Sequence, residues 1–285
     1  MANIRLIRRR IKGVQSTAKI TRAMEMIATS KMRRAQERGL AGRPYSDKIS
    51  QVLADLAALP REGAVLHPLL QRRPVAKIAV VHITPDRGLC GGLNAGINRR
   101  TASFILEQSV PVTFIIVGRK GLDFMRRHSR DIRAEFTRLG DRPDLLDTLP
   151  ISRIIIDDYT NGVVDQVYLV YAQFISTMVQ RPIMEQILPV EPAAIPTAQN
   201  VDYIYEPGPA AVLGELLPRF VEMQVYHAIL ESIASEQSAR MVAMRNATDN
   251  ANELIEELTL MYNKARQESI TEELLDITGG AVALA

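Results

Sequence analysis

Tryptophan is absent from this sequence, and Phe and Tyr bring the aromatic share to only 5%. Globular cores usually draw much of their bulk from aromatic rings. With 47% hydrophobic residues and abundant Ala, Ile, Leu, Met, Arg and Glu, the composition favours long helices that pack through small and flexible side chains. A single cysteine, Cys90, excludes a disulfide framework within one chain and fits a reducing compartment. No run of about 20 apolar residues occurs, which argues against a membrane span. MANIRLIRRR carries no apolar stretch behind its charges, so neither a signal peptide nor a transit peptide is expected, and the chain reads as mature and cytoplasmic.

Proline is scarce in both end zones, and glycine is missing from most of the second. Pro44 is the first proline, and after Pro218 no proline follows and no glycine until Gly279-Gly280. Residues 1–59 therefore read as one helix that is roughly 90 Å long if continuous, with Pro44 as a point of kinking or ending. Ile4, Ile7, Ile11, Val14, Ala18, Thr21, Ala28 and Met32 recur at 3–4 spacing, and Glu25 falls on the same seam. Residues 210–285 read as a second long helix. Its seam runs from Leu216 through Met223, Leu230, Gln237, Met244, Ala251 and Leu258 to Ala265. This seam mixes small and polar residues, which suits one specific partner helix better than self-association.

The net charge of +3 conceals an asymmetry. Residues 1–43 hold twelve Lys/Arg and two acids, a net of +10, whereas residues 215–285 hold five Lys/Arg and twelve acids, a net of −7. A basic arm can serve nucleic acid or anionic lipid, or it can pair with an acidic helix of the same chain. Residues 1–44 contain no aromatic residue to stack on bases, which counts against single-strand binding.

Residues 74–206 alternate short apolar runs with helical stretches. The sequence predicts strands at 75–83, 110–118, 164–176 and 181–190, and helices at 92–108, 121–128 and 151–162. The order is that of an α/β domain with a partly parallel sheet. Pro189, Pro192 and Pro196 mark the exit, followed by a loop with an extended piece at Tyr203–Tyr205. The expected architecture is a long antiparallel coiled coil of N- and C-terminal helices (1–59 and 210–285) with an inserted Rossmann-like α/β domain.

Signals of chemistry do not converge. The turn RGLCGGLN (87–94) joins a strand to a helix, as phosphate-cradling turns do, but it lacks both the dinucleotide spacing and a Lys-Ser/Thr pair. Its glycines are expected to allow a tight turn and close helix packing, and Cys90 to be a small structural thiol. His67, His82, His128 and His227 form no metal-ligand spacing. Asp157-Asp158 is expected as a surface carboxylate pair. A nucleotide-dependent enzyme built on the 87–94 turn is the alternative of another class. No catalytic residue, cofactor or metal is assigned.

Four segments carry a family likeness: KITRAMEMIATSKMRRAQ (19–36), DRGLCGGLN (86–94), SEQSARMVAMRNATDNA (235–251) and NKARQESITEELLDITGGAVAL (263–284). In order and spacing they resemble the signature segments of the gamma subunit family of the rotary ATP synthase. The resemblance implies a central shaft, present once per complex, that turns inside three alpha and three beta subunits. It implies contacts with the epsilon subunit, the c ring and possible delta partners, with ATP chemistry on the beta subunits. It places Lys19, Arg22, Met24, Arg240, Gln267 and Thr271 at the coupling interface, and Tyr203, Tyr205 and Glu206 near the c ring. It implies a peripheral location on the cytoplasmic face of a bacterial membrane. The two-cysteine redox insert of plastid relatives is missing.

Overall fold

The computed structural model describes residues 4–58, 67–128, 130–191 and 205–283. The elements run α1 (Ile4–Ala58), a 3-10 turn (Pro68–Leu70), β1 (Ile78–Ile83), α2 (Leu93–Glu107), β2 (Val112–Val117), α3 (Arg119–Arg127), β3 (Asp131–Phe136), α4 (Leu145–Thr160), β4 (Gln166–Phe174), β5 (Gln180–Leu188) and α5 (Pro209–Ala283). The fold is mixed α/β, with the two long terminal helices and the central, mostly parallel sheet that the sequence implies. The chain divides into two compact units. One comprises Met1–Ala28 with Met241–Ala285, the other Thr29–Arg240.

In the larger unit, five strands lie in the order β3-β2-β1-β4-β5. β1 pairs in parallel with β2 and with β4, and β2 with β3, while β5 returns antiparallel to β4. Strands β1 and β2 are near-continuous apolar runs because helices cover both faces of the sheet. Ala79, Val81, Ile83, Ile115 and Val117 face one core with Ile151, Ile155, Leu217, Val221, Val225 and Ile229. The alternate residues Ile78, Val80, Phe114 and Ile116 face a second core with Ile97, Phe104, Leu122 and Met125. That separation is the two-residue period of a pleated strand.

Three sequence expectations change. β3 (DIRAEF) is not legible as a strand because it forms the sheet edge, where Arg133 and Glu135 are tolerated and little apolar surface is demanded. Helix α4 starts six residues before 151, with Pro150 inside it, and the Asp147 carboxylate accepts from the Asp144 N–H at 2.8 Å to fix that start. The pair at the end of α4 splits: Asp157 is exposed, but Asp158 is buried and accepts from Arg133 Nε and Nη2, both at 3.1 Å. Pro44 lies within an uninterrupted α1, and the extended piece at Tyr203 and the neighbouring Pro192 and Pro196 lie outside the described residues.

Two buried features make the unit sensitive to substitution. Gly118 links β2 to α3 at φ +94, and a Cβ there would overlap the Thr84 carbonyl. Gly118→Ala is expected to destabilise the unit by about 3 kcal/mol or more, read as a fall in the urea midpoint. His82, next to the carboxyl end of β1, is fully buried; its Nε2 bonds Asn98 at 2.9 Å and its Nδ1 bonds Thr101 at 2.9 Å. Burial lowers its pKa to about 4 from 6.5. Above pH 6.5 the ring is neutral whether the chain is folded or not, so stability owes nothing to this titration. Between pH 6.5 and about 4 the unfolded chain takes up the proton and the folded chain does not, so stability falls, by about 3 kcal/mol across the window. Urea unfolding at stepped pH should show that fall, and His82→Gln should remove its histidine part.

Candidate interface on the paired terminal helices

The smaller unit is a pair of helices, and its seam follows from spacing. Ala18, Thr21, Glu25 and Ala28 on α1 are buried, as are Met241, Met244, Thr248, Ala251 and Leu258 on α5. The hydroxyls of Thr21 and Thr248 share a 2.7 Å hydrogen bond, and Arg245 Nε donates to Glu25 Oε1 at 3.0 Å. Four residues up α1 correspond to three residues down α5, so the helices are antiparallel. Within the larger unit, separately, a Cβ on Gly42 would meet the His227 ring at 2.9 Å, so α1 and α5 approach closely there too. By this register Ile4 stands opposite a position near Ala265, and α5 runs on to Ala283 without a paired segment of α1.

Glu25 explains an oddity of the sequence. A carboxylate on a seam costs desolvation unless it is matched. Here its side chain is 8% exposed, and it accepts from Arg22 Nη1 at 3.1 Å as well as from Arg245, both of which remain more than half exposed. Two solvated cations thus hold one buried anion.

The outer faces are less ordinary for a free-standing chain. Leu6, Ile20, Met26 and Ile27 on α1 are 55–61% exposed, and on α5 Leu260, Met261, Leu274, Leu275 and Ile277 are 57–72% exposed. Apolar surface repeated along helices in this way marks a binding face. Arg5, Arg8, Arg9, Arg10 and Lys12 stand exposed among it on α1.

The residues singled out from sequence do not form one cluster. Lys19 and Arg22 are exposed and Met24 half-buried on α1. Gln267 and Thr271 are exposed on α5, one turn apart, with the Thr271 hydroxyl donating to the Gln267 carbonyl at 2.9 Å. Arg240 belongs to the α/β unit, where it is buried, pairs with Glu236 at 2.7 Å and donates to the Gly88 carbonyl at 3.1 Å. It thereby fastens the 87–94 turn to α5. Tyr205 is half-buried and Glu206 exposed just before α5, and Tyr203 lies outside the described residues.

That turn has no nucleophile's environment. Cys90 is buried, accepts from Asn94 Nδ2 at 3.3 Å, and burial pushes its thiol up in pKa, the reverse of what a reactive thiolate needs. Both nitrogens of His82 are bonded to Asn98 and Thr101, so the histidine nearest in sequence is engaged elsewhere. Gly88, Gly91 and Gly92 have open space where a Cβ would stand. The turn conformation, with φ +57 at Gly91, accounts for glycine at that position, and close helix packing accounts for none of the three. Among the described residues, no group of His, Cys, Asp or Glu is arranged to hold a metal ion, and no helix is long and apolar enough to cross a membrane.

Comparison with known proteins decides the family. A family model described as ATP synthase matches residues 3–284. An ATP synthase gamma chain of Dehalococcoides mccartyi is 70% identical over 285 residues, covering all of both chains. One from Herpetosiphon aurantiacus is 51% identical over 293 residues, covering all of this chain and 99% of that one. This chain belongs to the ATP synthase gamma-chain family. Its fold agrees with a chain in the Euglena gracilis mitochondrial ATP synthase structure of OSCP, F1 and c ring, at 20% identity and TM-score 0.66 over 99% of this chain and 94% of that one. A chain from the central stalk and c ring of the Tetrahymena thermophila mitochondrial ATP synthase has the same fold, at 24% identity and TM-score 0.62 over 80% of this chain and 99% of that one. A gamma-family chain is a subunit of the ATP synthase complex.

The buried Glu25 gives a direct test of the seam. Glu25→Ala leaves two cations that water already solvates, so a cost of about 1 kcal/mol is expected. Glu25→Lys places three cations together at the seam, and about 3 kcal/mol is expected. Thermal unfolding followed at 222 nm would rank the variants, and only the reversal should recover markedly with added salt.

Proposed function

We propose that this chain is the rotating central shaft of a bacterial ATP synthase, carrying torque between a membrane ring and a catalytic hexamer of alpha and beta subunits. The observation that carries the reading is the end-to-end identity with bacterial ATP synthase gamma chains. The geometry supports it. An antiparallel pair with small seam residues (Ala18, Ala28, Ala251) is slender, and its buried polar matches at Thr21–Thr248 and Glu25–Arg245 fix the register. A shaft must keep its register under load while its outer surface meets successive partners without locking to any.

In this reading residues 1–59 and 210–285 supply the shaft helices and residues 74–206 the body that meets the epsilon subunit and the c ring. Lys19, Arg22 and Met24 face the lower parts of the beta subunits, and Arg240, Gln267 and Thr271 act toward the same region. Tyr203, Tyr205 and Glu206 lie toward the c ring. Exposed arginines along the first turns of α1 attract acidic loops at long range, and exposed pairs contribute only about 0–1 kcal/mol each, so the attraction does not become a brake. Ion flow turns the ring, the asymmetric shaft drives each beta subunit through open and closed states, and nucleotide chemistry stays on the beta subunits. The chain carries no cofactor and works peripherally on the cytoplasmic face of the membrane.

The test is co-expression with alpha and beta subunits of the same source. One copy of this chain per three alpha–beta pairs, with ATPase turnover that depends on it, is the expected result. A catalytic particle that forms and turns over without ever taking up the chain would end the reading, and the basic arm would then be tried on DNA for steep salt dependence.

A further inference from the structure

At the carboxyl ends of β1, β2 and β3 lies a cleft of about 450 Å3, lined by Asp86, Arg87, Arg119, Arg138, Gly140, Asp141 and Glu236. Each acid there is already committed. Asp86 accepts from the backbone N–H groups of Arg119 and Arg138, both at 2.9 Å. Asp141 accepts from Lys31 Nζ at 2.6 Å and from Gln237 Nε2 at 3.4 Å. Glu236 is paired with Arg240. The three arginines are exposed, and among the described residues no ion pair engages Arg87, Arg119 or Arg138. The cleft therefore offers three uncommitted guanidinium forks beside acids that are each spoken for.

Local backbone adds to this. Arg138 holds φ +64, a conformation that costs an L-residue about 1 kcal/mol, and the Asp86 bond to its amide sustains it. Strain of that kind gathers at binding sites. The site does not rely on the dipole of α3, because the first amides of that helix are taken by Asp86, by the Pro85 carbonyl and by the Thr84 hydroxyl. Open α/β sheets place their ligands at the carboxyl ends of parallel strands, and this cleft stands there.

We propose that this cleft binds a condensed phosphate of the pyrophosphate class. Arginine forks match phosphoryl oxygens in pairs, and three of them suit two adjoining phosphoryl groups better than one. No aromatic or aliphatic side chain lines the cleft, and the adjoining cavity that Phe136, Leu139 and Ile233 help to line holds only about 50 Å3, so a nucleotide binds through its phosphate tail.

The test is calorimetric titration of the purified full-length chain with pyrophosphate, orthophosphate and ATP, all without magnesium. One saturable site is expected for pyrophosphate, with ATP within about threefold of it and orthophosphate about tenfold weaker. The triple variant R87Q/R119Q/R138Q should weaken pyrophosphate at least about tenfold, whereas Arg153→Gln, an exposed arginine on α4, should change nothing. Circular dichroism establishes that each variant is folded, and R119Q alone serves should the triple variant not fold. Equal weakening by Arg153→Gln, or unaltered binding in the folded triple variant, would overturn the proposal as general charge attraction. Displacement of pyrophosphate by hexaglutamate at lower concentration would overturn it in favour of an acidic protein segment. ATP binding far tighter than pyrophosphate would overturn the absence of base recognition.

Discussion

The antiparallel pairing of α1 with α5 is the constraint from which the rest follows. Thr21 and Thr248 meet although 227 positions apart in the sequence, and closing so long a loop costs entropy that local contacts in the pair do not repay alone. The intervening chain meets this cost by folding on its own account. Its sheet begins in the central strand β1, adds β2 and β3 on one side, then crosses to add β4 and β5 on the other. Segment 217–234 of α5 and residues such as Ile49 and Leu53 of α1 join the same apolar core.

The seam itself is not built for strength. It is narrow and rich in Ala, Thr and Met, which limits the apolar area it removes from water. Its specificity comes from polar matches that only one register satisfies. A shift of α5 by one turn would take Arg245 away from the Glu25 carboxylate and part the two threonines. Buried polar groups of this kind set register more than they add stability. A helix pair with exposed Leu, Ile and Met on its outer faces is completed by neighbours, which agrees with a gamma-family subunit of a larger complex.

The α/β unit shows why isolated residue types mislead. A histidine beside a glycine-rich turn with a cysteine looks like chemistry in a linear reading. In the fold, His82 spends both nitrogens on Asn98 and Thr101, and Cys90 is buried within the turn with a raised pKa. The groups left uncommitted are Arg87, Arg119 and Arg138, which are 51 residues apart at the extremes and share no motif. Only the parallel sheet, by ending three strands at one edge, brings them to one cleft.

Much was legible in the sequence where a single physical period dominates. The 3–4 spacing gave both long helices and the buried status of Ala18, Thr21, Met244 and Leu258, and the apolar runs gave β1, β2, β4 and β5. The four signature segments carried the family. Tertiary structure decided what depends on partners distant in the chain. An edge strand such as β3 has no obligatory apolar face, so its sequence carries little signal. Asp158 is buried with Arg133 of β3 paired to it, and Arg240 clasps the Gly88 turn because the sheet sets that turn against α5. Periodicity is local and survives in one dimension, whereas the matching of buried charges and the convergence of loop residues exist only once the strands have been ordered.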